Sequence, residues 1–421
     1  MVAPRILARN RMDIELKPRR TRLRPRATTS FRFGIEEEYF LCDAATLQPA
    51  MSTPDALFAC REPGSAARLN REMLQAQVEV ATRPHTRSGD ARDELMWLRR
   101  LAAESAFEHG LAILASGTHP TADWRQAVHS PKVRYDLLMH DLQTVGRRNM
   151  LCGMHVHVEV PDPDARIDIM VRLIPYVPLL LALSTSSPFW GSQPTGLKGY
   201  RLAAYDELPR TGMPELFRSK QDYDAYVSGL VSSGAIPNAT HVWWTLRPSD
   251  KYPTLEFRAA DACTRLDDAV AIAALYRCLV RRLCRRPFVN AQLDPVDRAI
   301  SVENKWRAQR YGVEASFVSR AGPVSMSETL EDVLEEIASD AEALGCGDDV
   351  LHCRRIVDGG SSADAQLRVF APANPADGPG GLDAVLRWLA QATVSEAADG
   401  RRNNAAARQL AHHEQRQQAE R

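Results

Sequence analysis

Three consecutive glutamates, Glu36, Glu37 and Glu38, interrupt a segment that otherwise has the composition of a buried strand, FGIEEEYFLCD at residues 33–43. Ionised carboxylates are costly to bury, and each like-charged neighbour raises the cost of burying the next one. A chain that folds with this segment inside must therefore supply positive charge to it.

Side chains alternate between the two faces of a strand, so Glu36 and Glu38 share one face while Glu37 lies on the other face with Ile35 and Tyr39. Two explanations of the shared face are open. Either a cation neutralises the pair, since paired carboxylates suit Mg²⁺ or Mn²⁺, or the segment is an edge strand whose glutamates face water. On the opposite face, we expect Glu37 to pair with a basic side chain or to face a subunit contact.

Charge is unevenly distributed along the chain. The 421 residues include 53 basic and 53 acidic ones, but residues 1–28 hold nine Lys or Arg against two acidic residues, which leaves seven excess acidic residues in the rest. A mildly acidic body argues against nucleic-acid binding. The basic segment 1–28 predicts a solvated, disordered arm, with an organelle-targeting leader as the alternative. The polar residues 396–421 predict a flexible tail, so that one domain spans residues 29–395.

The most apolar segment, residues 169–190, predicts a buried helix. Arg172, Pro175 and Pro178 interrupt it, and its longest apolar part is shorter than the roughly 20 residues that a membrane span needs. We therefore expect no membrane contact. Eight cysteines without a CxxC pair indicate reduced thiols and a cytoplasmic location.

Strand-like and helical segments alternate along the chain, which predicts an α+β fold. The strands have polar residues on one face only, as is typical of an antiparallel sheet with one open face. A helix over residues 90–114 is expected to begin with Asp90 as its cap. Strands are predicted at residues 33–43, 75–84, 153–160, 240–248 and 253–261, and further helices near residues 165–185, 214–231, 266–285, 327–344 and 381–392.

Four of these strands each place a carboxylate or an imidazole on the polar face. If the strands are neighbours, these side chains form one acidic surface that needs cations. Oxygen ligands with one or two imidazoles favour Mg²⁺ or Mn²⁺ over zinc, and such ions commonly also bind substrate phosphates. Besides Glu36 and Glu38, the residues concerned are Glu79, His155, His157, Glu159, Glu256 and Arg258.

The sequence contains no recognisable phosphate-binding loop. GSQPTGLKGY at residues 191–200 has the glycine spacing of a P-loop, but Leu197 precedes Lys198 and no Ser or Thr follows the lysine. Nucleotide phosphates would then be held by metal ions and by arginines. The arginines available for this are Arg201, Arg258 and Arg310.

Several motifs in order resemble the carboxylate–amine ligase family, the type 2 glutamate–cysteine ligases. They are FGIEEEYFLCD, QVEVATRP, CGMHVHVEV, TGLKGYRLAAYDELPRTGMPELF, TLEFRAADA and ENKWRAQRYG, and the resemblance covers residues 31–370. It implies a glutamine-synthetase-like catalytic fold, in which an antiparallel sheet forms a funnel for ATP, two or three Mg²⁺ ions and an amino-acid carboxylate. Residues 359–368 match the family less well, because Ala365 stands where arginine is usual.

The resemblance also implies site residues. The family arginine that reaches the transferring phosphate corresponds to Arg258. Glu72 lies an odd number of residues from Glu79, so a bulge or a turn must separate them if both face the same site. The implied metal ligands are Glu36, Glu38, Glu72, Glu79, His155 and Glu256.

This resemblance implies an ATP-dependent ligase that forms an amide, such as a γ-glutamyl peptide bond, through an acyl phosphate. Its partners would be a small carboxylate, a small amine and a second copy of the chain in a homodimer. Two alternatives stay open: a metal-dependent kinase or phosphohydrolase acting on a small carboxylate, and a non-catalytic nucleotide-binding protein whose basic arm touches nucleic acid.

Overall fold

The computed structural model describes residues 30–59, 69–371 and 380–395. The predicted arm and tail lie outside these ranges. The strands are β1 (Phe33–Asp43), β2 (Leu69–Arg71), β3 (Gln77–Ala81), β4 (Leu111–Leu114), β5 (Gly153–Glu159), β6 (Phe189–Trp190), β7 (Gln193–Pro194), β8 (Leu246–Pro248), β9 (Thr254–Asp261), β10 (Ser316–Ser319) and β11 (Gly322–Ser325).

Helices account for most of the remaining regular structure. They are α1 (Ser88–Phe107), α2 (Val133–Arg147), α3 (Pro163–Leu173), α4 (Val177–Ser184), α5 (Tyr200–Tyr205), α6 (Lys220–Ser232), α7 (Leu266–Arg285), α8 (Pro295–Tyr311), α9 (Met326–Leu344), α10 (Gly347–Gly359), α11 (Ser362–Phe370) and α12 (Leu382–Val394).

The main sheet is antiparallel and has the strand order β2-β3-β1-β5-β9-β8, with β4 paired to the second half of β1. Strand β1 is therefore central, with β3 on one side and β5 on the other. An edge-strand explanation of its glutamates is wrong, because both edges of β1 carry ladder hydrogen bonds.

One face of the sheet packs on helices and forms the main core. The apolar side chains of Ile35, Val78, Val156 and Phe257 point to this face and are fully buried. Helix α7 packs there against α1, α3, α4 and β5, and fifteen of its side chains are buried. The opposite face carries the polar residues of the same strands, so the predicted alternation and the α+β class are confirmed.

Glu37 is buried within the core face, where it pairs with Arg99 of α1. The Arg99 guanidinium donates from Nε to Oε2 (2.8 Å) and from Nη2 to Oε1 (2.6 Å), and the Tyr39 hydroxyl donates to Oε2 (2.5 Å). Arg99 also donates to the carbonyl oxygens of Cys263, Thr264 and Thr393. The predicted basic partner of Glu37 is thereby identified, and the pair joins β1 to α1.

Several predicted boundaries are wrong. The helix expected over residues 90–114 ends at Phe107, because Gly110 turns the chain with φ 71° and residues 111–114 form β4 beside β1. Its N-cap is Arg87, and Asp90 lies in the first turn instead. The strand expected over residues 240–248 is reduced to β8, because Ala239–His241 form a 3-10 turn. Helices α2, α5, α8, α10 and α11 were not predicted.

The apolar segment lies in the core, as predicted. Pro163–Ser184 is long and apolar enough to cross a membrane by composition alone, but 83% of its most apolar window is buried inside the protein. Pro175 and Pro178 fall where a short 3-10 turn separates α3 from α4, since proline lacks the N–H that a continuous helix needs.

Candidate active site

A cavity of about 350 Å³ lies over the polar face of the sheet. Strands β1, β3, β5 and β9 form its floor, and α2, α5 and the segment around β8 form its walls. The charged residues that line it are Glu36, Glu38, Glu72, Glu79, Arg134, His155, His157, Arg201, Arg247, Asp250, Lys251, Glu256 and Arg258.

Strand register brings the floor residues together. Glu38 lies opposite Glu79 of β3, and Glu36 lies opposite His155 of β5. His157 in turn lies opposite Glu256 of β9. Directly opposed residues on one face have Cβ atoms about 5 Å apart, so residues from four strands meet without any long side chain having to reach across.

Glu72 joins the floor through a turn, as its odd spacing from Glu79 requires. The chain leaves β2 at Arg71 and re-enters the sheet at Gln77, so strand alternation does not apply between the two glutamates. The Glu72 carboxylate accepts a hydrogen bond from the backbone N–H of Met73 (3.2 Å).

The acidic side chains form two clusters. Within each cluster, the potential ligand atoms all lie within 4.8 Å of one another. The first cluster is Glu36, His157 and Glu256. The second cluster is Glu38, Glu72 and Glu79. His155 lies next to the first cluster, with Nδ1 at 3.5 Å from Oε2 of Glu36 and 4.0 Å from Oε1 of Glu256.

The second cluster holds three carboxyl groups that resist ionising together. Burial, and then the charge of Glu38, raise the pKa of Glu72 to about 7. Burial and the neighbouring glutamates raise the pKa of Glu79 well above its ordinary value. Burial raises the pKa of Glu38 as well, although the charge of Arg201 opposes it. Without a cation, full ionisation of this cluster is therefore unfavourable.

The first cluster is compensated by imidazoles and arginines. Burial alone would raise the pKa of Glu36, but hydrogen bonds from His155 and His157 hold it well below its ordinary value. Burial and the charge of Arg258 lower the pKa of His155 to about 4. The Nε2 atom of His155 is buried and has no hydrogen-bond partner among the described residues.

These donor sets fit divalent cations that prefer oxygen. Five carboxylates with one or two imidazoles match the ligands of Mg²⁺ or Mn²⁺ and lack the thiolates of structural zinc sites. The unpartnered Nε2 of His155 and the raised pKa values of the second cluster are the features that a bound cation would resolve. The residues present therefore fit the predicted metals.

Glu256 is held by two arginines, one of which was not predicted. Arg247 of β8 donates to Oε2 from Nη2 (2.7 Å) and Nε (3.0 Å), and Nη1 of Arg258 donates to Oε1. Burial would raise the pKa of Glu256, but the charges of Arg258 and Arg247 lower it to about 2. Arg247 lies next to the buried Leu246 in the predicted strand, so alternation alone could have identified it.

Arg201 is a buried cation without an ion pair among the described residues. Only 2% of it is exposed, and its Nε atom has no hydrogen-bond partner within residues 30–59, 69–371 and 380–395. Nη1 makes one long hydrogen bond to the carbonyl oxygen of Arg258 (3.4 Å). A Cβ atom at Gly153 would lie 2.1 Å from the guanidinium, so only glycine leaves room for it. The geometry suits an incoming anion.

Three residues singled out from the sequence lie away from the cavity lining. Glu159 pairs with Arg32 (2.9 Å) at the end of β5. Arg310 lies over the ring of Tyr311, 5.0 Å from its centroid, so the structure does not bring it to the candidate site. Lys198 forms ion pairs with Asp364 (2.5 Å) and Glu314 (2.7 Å), which agrees with the rejection of residues 191–200 as a P-loop.

Comparisons with known proteins identify the family. A family model described as glutamate–cysteine ligase family 2 matches residues 32–408. A relative from Bradyrhizobium sp. (strain ORS 278), named provisionally as glutamate–cysteine ligase 2, is 54% identical over 398 residues, which cover 94% of this chain and 96% of the relative. A protein of the same name from Rhodospirillum rubrum is 47% identical over 350 residues, covering 82% of this chain and 90% of that protein.

Solved structures share the fold at low sequence identity. The glutamate–cysteine ligase of Francisella tularensis, crystallised with AMP, has a TM-score of 0.62 at 13% identity and aligns with 88% of this chain and 90% of its own. A bifunctional glutathione synthetase from Pasteurella multocida has a TM-score of 0.63 at 16% identity over 86% of this chain and 52% of its own. The predicted glutamine-synthetase-like α+β fold and the predicted family are confirmed, and the chain belongs to glutamate–cysteine ligase family 2.

Proposed function

We propose that this chain is an ATP-dependent ligase that joins a small carboxylate to an amine, with glutamate and cysteine as the first substrates to test. Family membership supports the carboxylate–amine ligase class, and the provisional names of the relatives support the substrates. The observation that carries the proposal is the meeting of two acidic clusters with buried arginines over one cavity, the arrangement that phosphoryl transfer to a carboxylate requires.

Each of the two clusters would bind one cation. Glu36 and Glu256, with His155, would hold one cation, and Glu38, Glu72 and Glu79 would hold a second. Bound Mg²⁺ or Mn²⁺ would neutralise charge on the nucleotide phosphates during transfer. These six residues are the ligands implied by the family resemblance, and the distances add His157, which the sequence had already assigned to the polar face.

Arginines would bind the transferring group and the substrate carboxylate. Arg201 and Arg258 line the cavity beside the acidic clusters and carry unpartnered Nε atoms, so each has a donor available for a phosphate or carboxylate oxygen. Planar guanidinium groups suit both anions. Catalysis would then rest on positioning and on charge stabilisation, with no covalent role for the protein.

The walls of the cavity carry apolar side chains. Leu138 and Leu142 of α2, together with Leu208 and Trp243, contribute apolar surface above the charged floor. Family membership supports a ligase over the phosphohydrolase alternative. Homodimer formation and a cytoplasmic location stay predictions.

Paired product assays test the proposal. The purified chain is incubated with Mg²⁺, ATP and glutamate, with and without cysteine, and then with a panel of other amino acids and amines. We expect ADP release that depends on both substrates and a product mass equal to their amide. ADP release that needs no amine would favour the kinase or phosphohydrolase alternative, and its complete absence across the panel would contradict the ligase assignment.

A further inference from the structure

The two arginines at Glu256 are anchored in different ways. Arg247 binds Oε2 through two nitrogens, and its Nη1 donates to the carbonyl oxygens of Thr240 (3.0 Å) and Val242 (3.3 Å). Arg258 reaches Oε1 through Nη1, and its other side-chain contact is a long hydrogen bond to the Tyr205 hydroxyl (3.4 Å). Arg247 is therefore fixed from two sides, whereas Arg258 depends on Glu256 for its close contact.

The two carboxylate oxygens of Glu256 also face different surroundings. Oε1 lies 4.0 Å from Nδ1 of His155 and 3.9 Å from Nε2 of His157, and both imidazoles contact Glu36. Oε2 faces Arg247 on the neighbouring strand β8. A cation held by Glu36 and Glu256 would therefore bind Oε1, the atom that Arg258 occupies.

We propose that Arg258 acts as a replaceable counter-ion: it neutralises Oε1 of Glu256 in the metal-free protein and is displaced when a divalent cation binds there. Arg247 is the positioning residue that keeps hold of Oε2 throughout. The inference rests on the proposed function and deepens it, because the displaced guanidinium becomes available for the transferring phosphate only after the cation has bound.

Simple electrostatics support this exchange. Mg²⁺ binds oxygen at about 2.1 Å, so its charge is greater and closer than that of a hydrogen-bonded guanidinium. Two positive groups at one oxygen of the buried Glu256 carboxylate repel each other strongly. Arg258 is the group that moves, because its guanidinium makes no hydrogen bond to a backbone carbonyl in the described part of the chain, whereas that of Arg247 does. Its unpartnered Nε indicates that its metal-free position does not satisfy all its donors.

Metal titration without nucleotide tests the exchange. Free Mn²⁺ is measured by electron paramagnetic resonance in wild type, Arg258→Met and Arg247→Met. The Arg247→Met variant is the matched control, because it removes the same charge from the other oxygen of the same carboxylate. We expect Arg258→Met to bind Mn²⁺ about tenfold more tightly than wild type, the scale of one charge-assisted hydrogen bond, and Arg247→Met to bind it more weakly.

Equal tightening in both variants would reduce the effect to general charge removal and overturn the proposal, as would unchanged affinity in Arg258→Met. Thermal unfolding checks that both variants fold.

A second measurement needs no variant. The rate at which phenylglyoxal modifies Arg258 in the wild-type protein is followed by peptide mass spectrometry, with and without Mg²⁺. We expect saturating Mg²⁺ to accelerate the modification, because the guanidinium leaves Glu256, and an unchanged or slower rate would contradict the proposal. Failure of the amide assay alone would remove the ligase assignment and leave these two results standing, so the two proposals fail separately.

Discussion

At the scale of single residues, the candidate site balances negative charge against donors that hold it in place. Glu38 illustrates this balance: its Oε2 accepts a hydrogen bond from the backbone N–H of Gly153 (2.6 Å) while its charge raises the pKa of Glu72. The same carboxylate is thus held in place by a hydrogen bond and lies among other carboxyl groups whose negative charge would repel its own. Removing its charge separates the functional role from the structural one.

The Glu38→Gln variant keeps the size and the hydrogen-bond acceptor and removes the charge. We expect it to lose most ATP-dependent activity, because the second cluster loses a cation ligand, and to unfold in EDTA at the same temperature as wild type or a higher one, because repulsion falls. Amide formation at saturating ATP and limiting Mg²⁺ gives the first result and calorimetry the second. Wild-type turnover under these conditions would exclude Glu38 from the metal site.

The two histidines on β5 are distinguished by their partners. Nδ1 of His157 already has the Thr254 hydroxyl as a partner (3.0 Å), whereas Nε2 of His155 has none among the described residues. Because the family resemblance assigns His155 and not His157 as a ligand, we expect His155→Ala to raise the Mn²⁺ dissociation constant more than His157→Ala does. Equal and small effects of the two substitutions in the metal titration would indicate that both histidines have a structural role.

Arg258 should matter more for turnover than for nucleotide binding. Arg258→Lys keeps the charge and loses the planar pair of donors, so we expect ATP affinity by calorimetry to stay near wild type while kcat falls roughly 100-fold. Unchanged turnover would limit Arg258 to its ion pair with Glu256 and direct attention to Arg201.

At the scale of secondary-structure elements, a buried ion pair joins the central strand to the helix layer. Arg99 of α1 is 3% exposed and its partner Glu37 of β1 is fully buried. Breaking such a pair leaves an uncompensated charge in the core, whereas removing both partners does not. The pair therefore links the position of β1, and with it Glu36 and Glu38, to that of α1.

We expect Arg99→Met to lower the free energy of unfolding by about 3–5 kcal/mol, and Glu37→Met with Arg99→Met to recover part of that loss. Urea denaturation measures both. The matched control is Arg354→Met, which removes a half-exposed pair with Glu331 and should cost less than about 1 kcal/mol. A small effect of Arg99→Met, similar to that of the control, would show that the pair does not hold α1 in place.

At the scale of the whole molecule, the acidic cavity makes stability depend on pH and on metal. Glu72 binds its proton more tightly in the folded state, where burial and Glu38 raise its pKa to about 7 from 4.5. Between these values the folded state holds more protons than the unfolded state, so the free energy of unfolding falls as pH rises. The contribution of Glu72 to stability is greatest at pH values below its pKa in the unfolded state. It is lost once the pH exceeds its pKa in the folded state.

For metal-free protein we expect a loss of up to about 3 kcal/mol between pH 5 and pH 8 from this residue. Urea denaturation in EDTA at both pH values measures the loss, and Glu72→Gln should reduce it. Added Mg²⁺ should restore stability at pH 8, since a ligand that binds only the folded state stabilises it. A pH dependence that neither Mg²⁺ nor Glu72→Gln alters would place its origin elsewhere in the protein.

The sequence by itself determined which side chains share a face, because alternation along a strand is local. Alternation assigned five residues to the polar face: Glu36, Glu38, Glu79, Glu256 and Arg258. The ordered motifs identified the family. Tertiary structure decided which of these faces meet. Strand order and register set the distances between β1, β3, β5 and β9. The alternation of side chains along one strand does not predict these distances.

Contacts between side chains on different secondary-structure elements were therefore the ones misplaced or missed. Arg310 belongs to a plausible motif but lies away from the cavity lining, whereas Arg247 reaches Glu256 because β8 pairs with β9. Arg99 reaches Glu37 because α1 packs across the sheet. Helix α1 ends at Phe107 because Gly110 turns the chain, and residues 111–114 then pair with β1. Contacts of this kind depend on loop geometry and packing of the whole chain, which is why only the folded structure decided them.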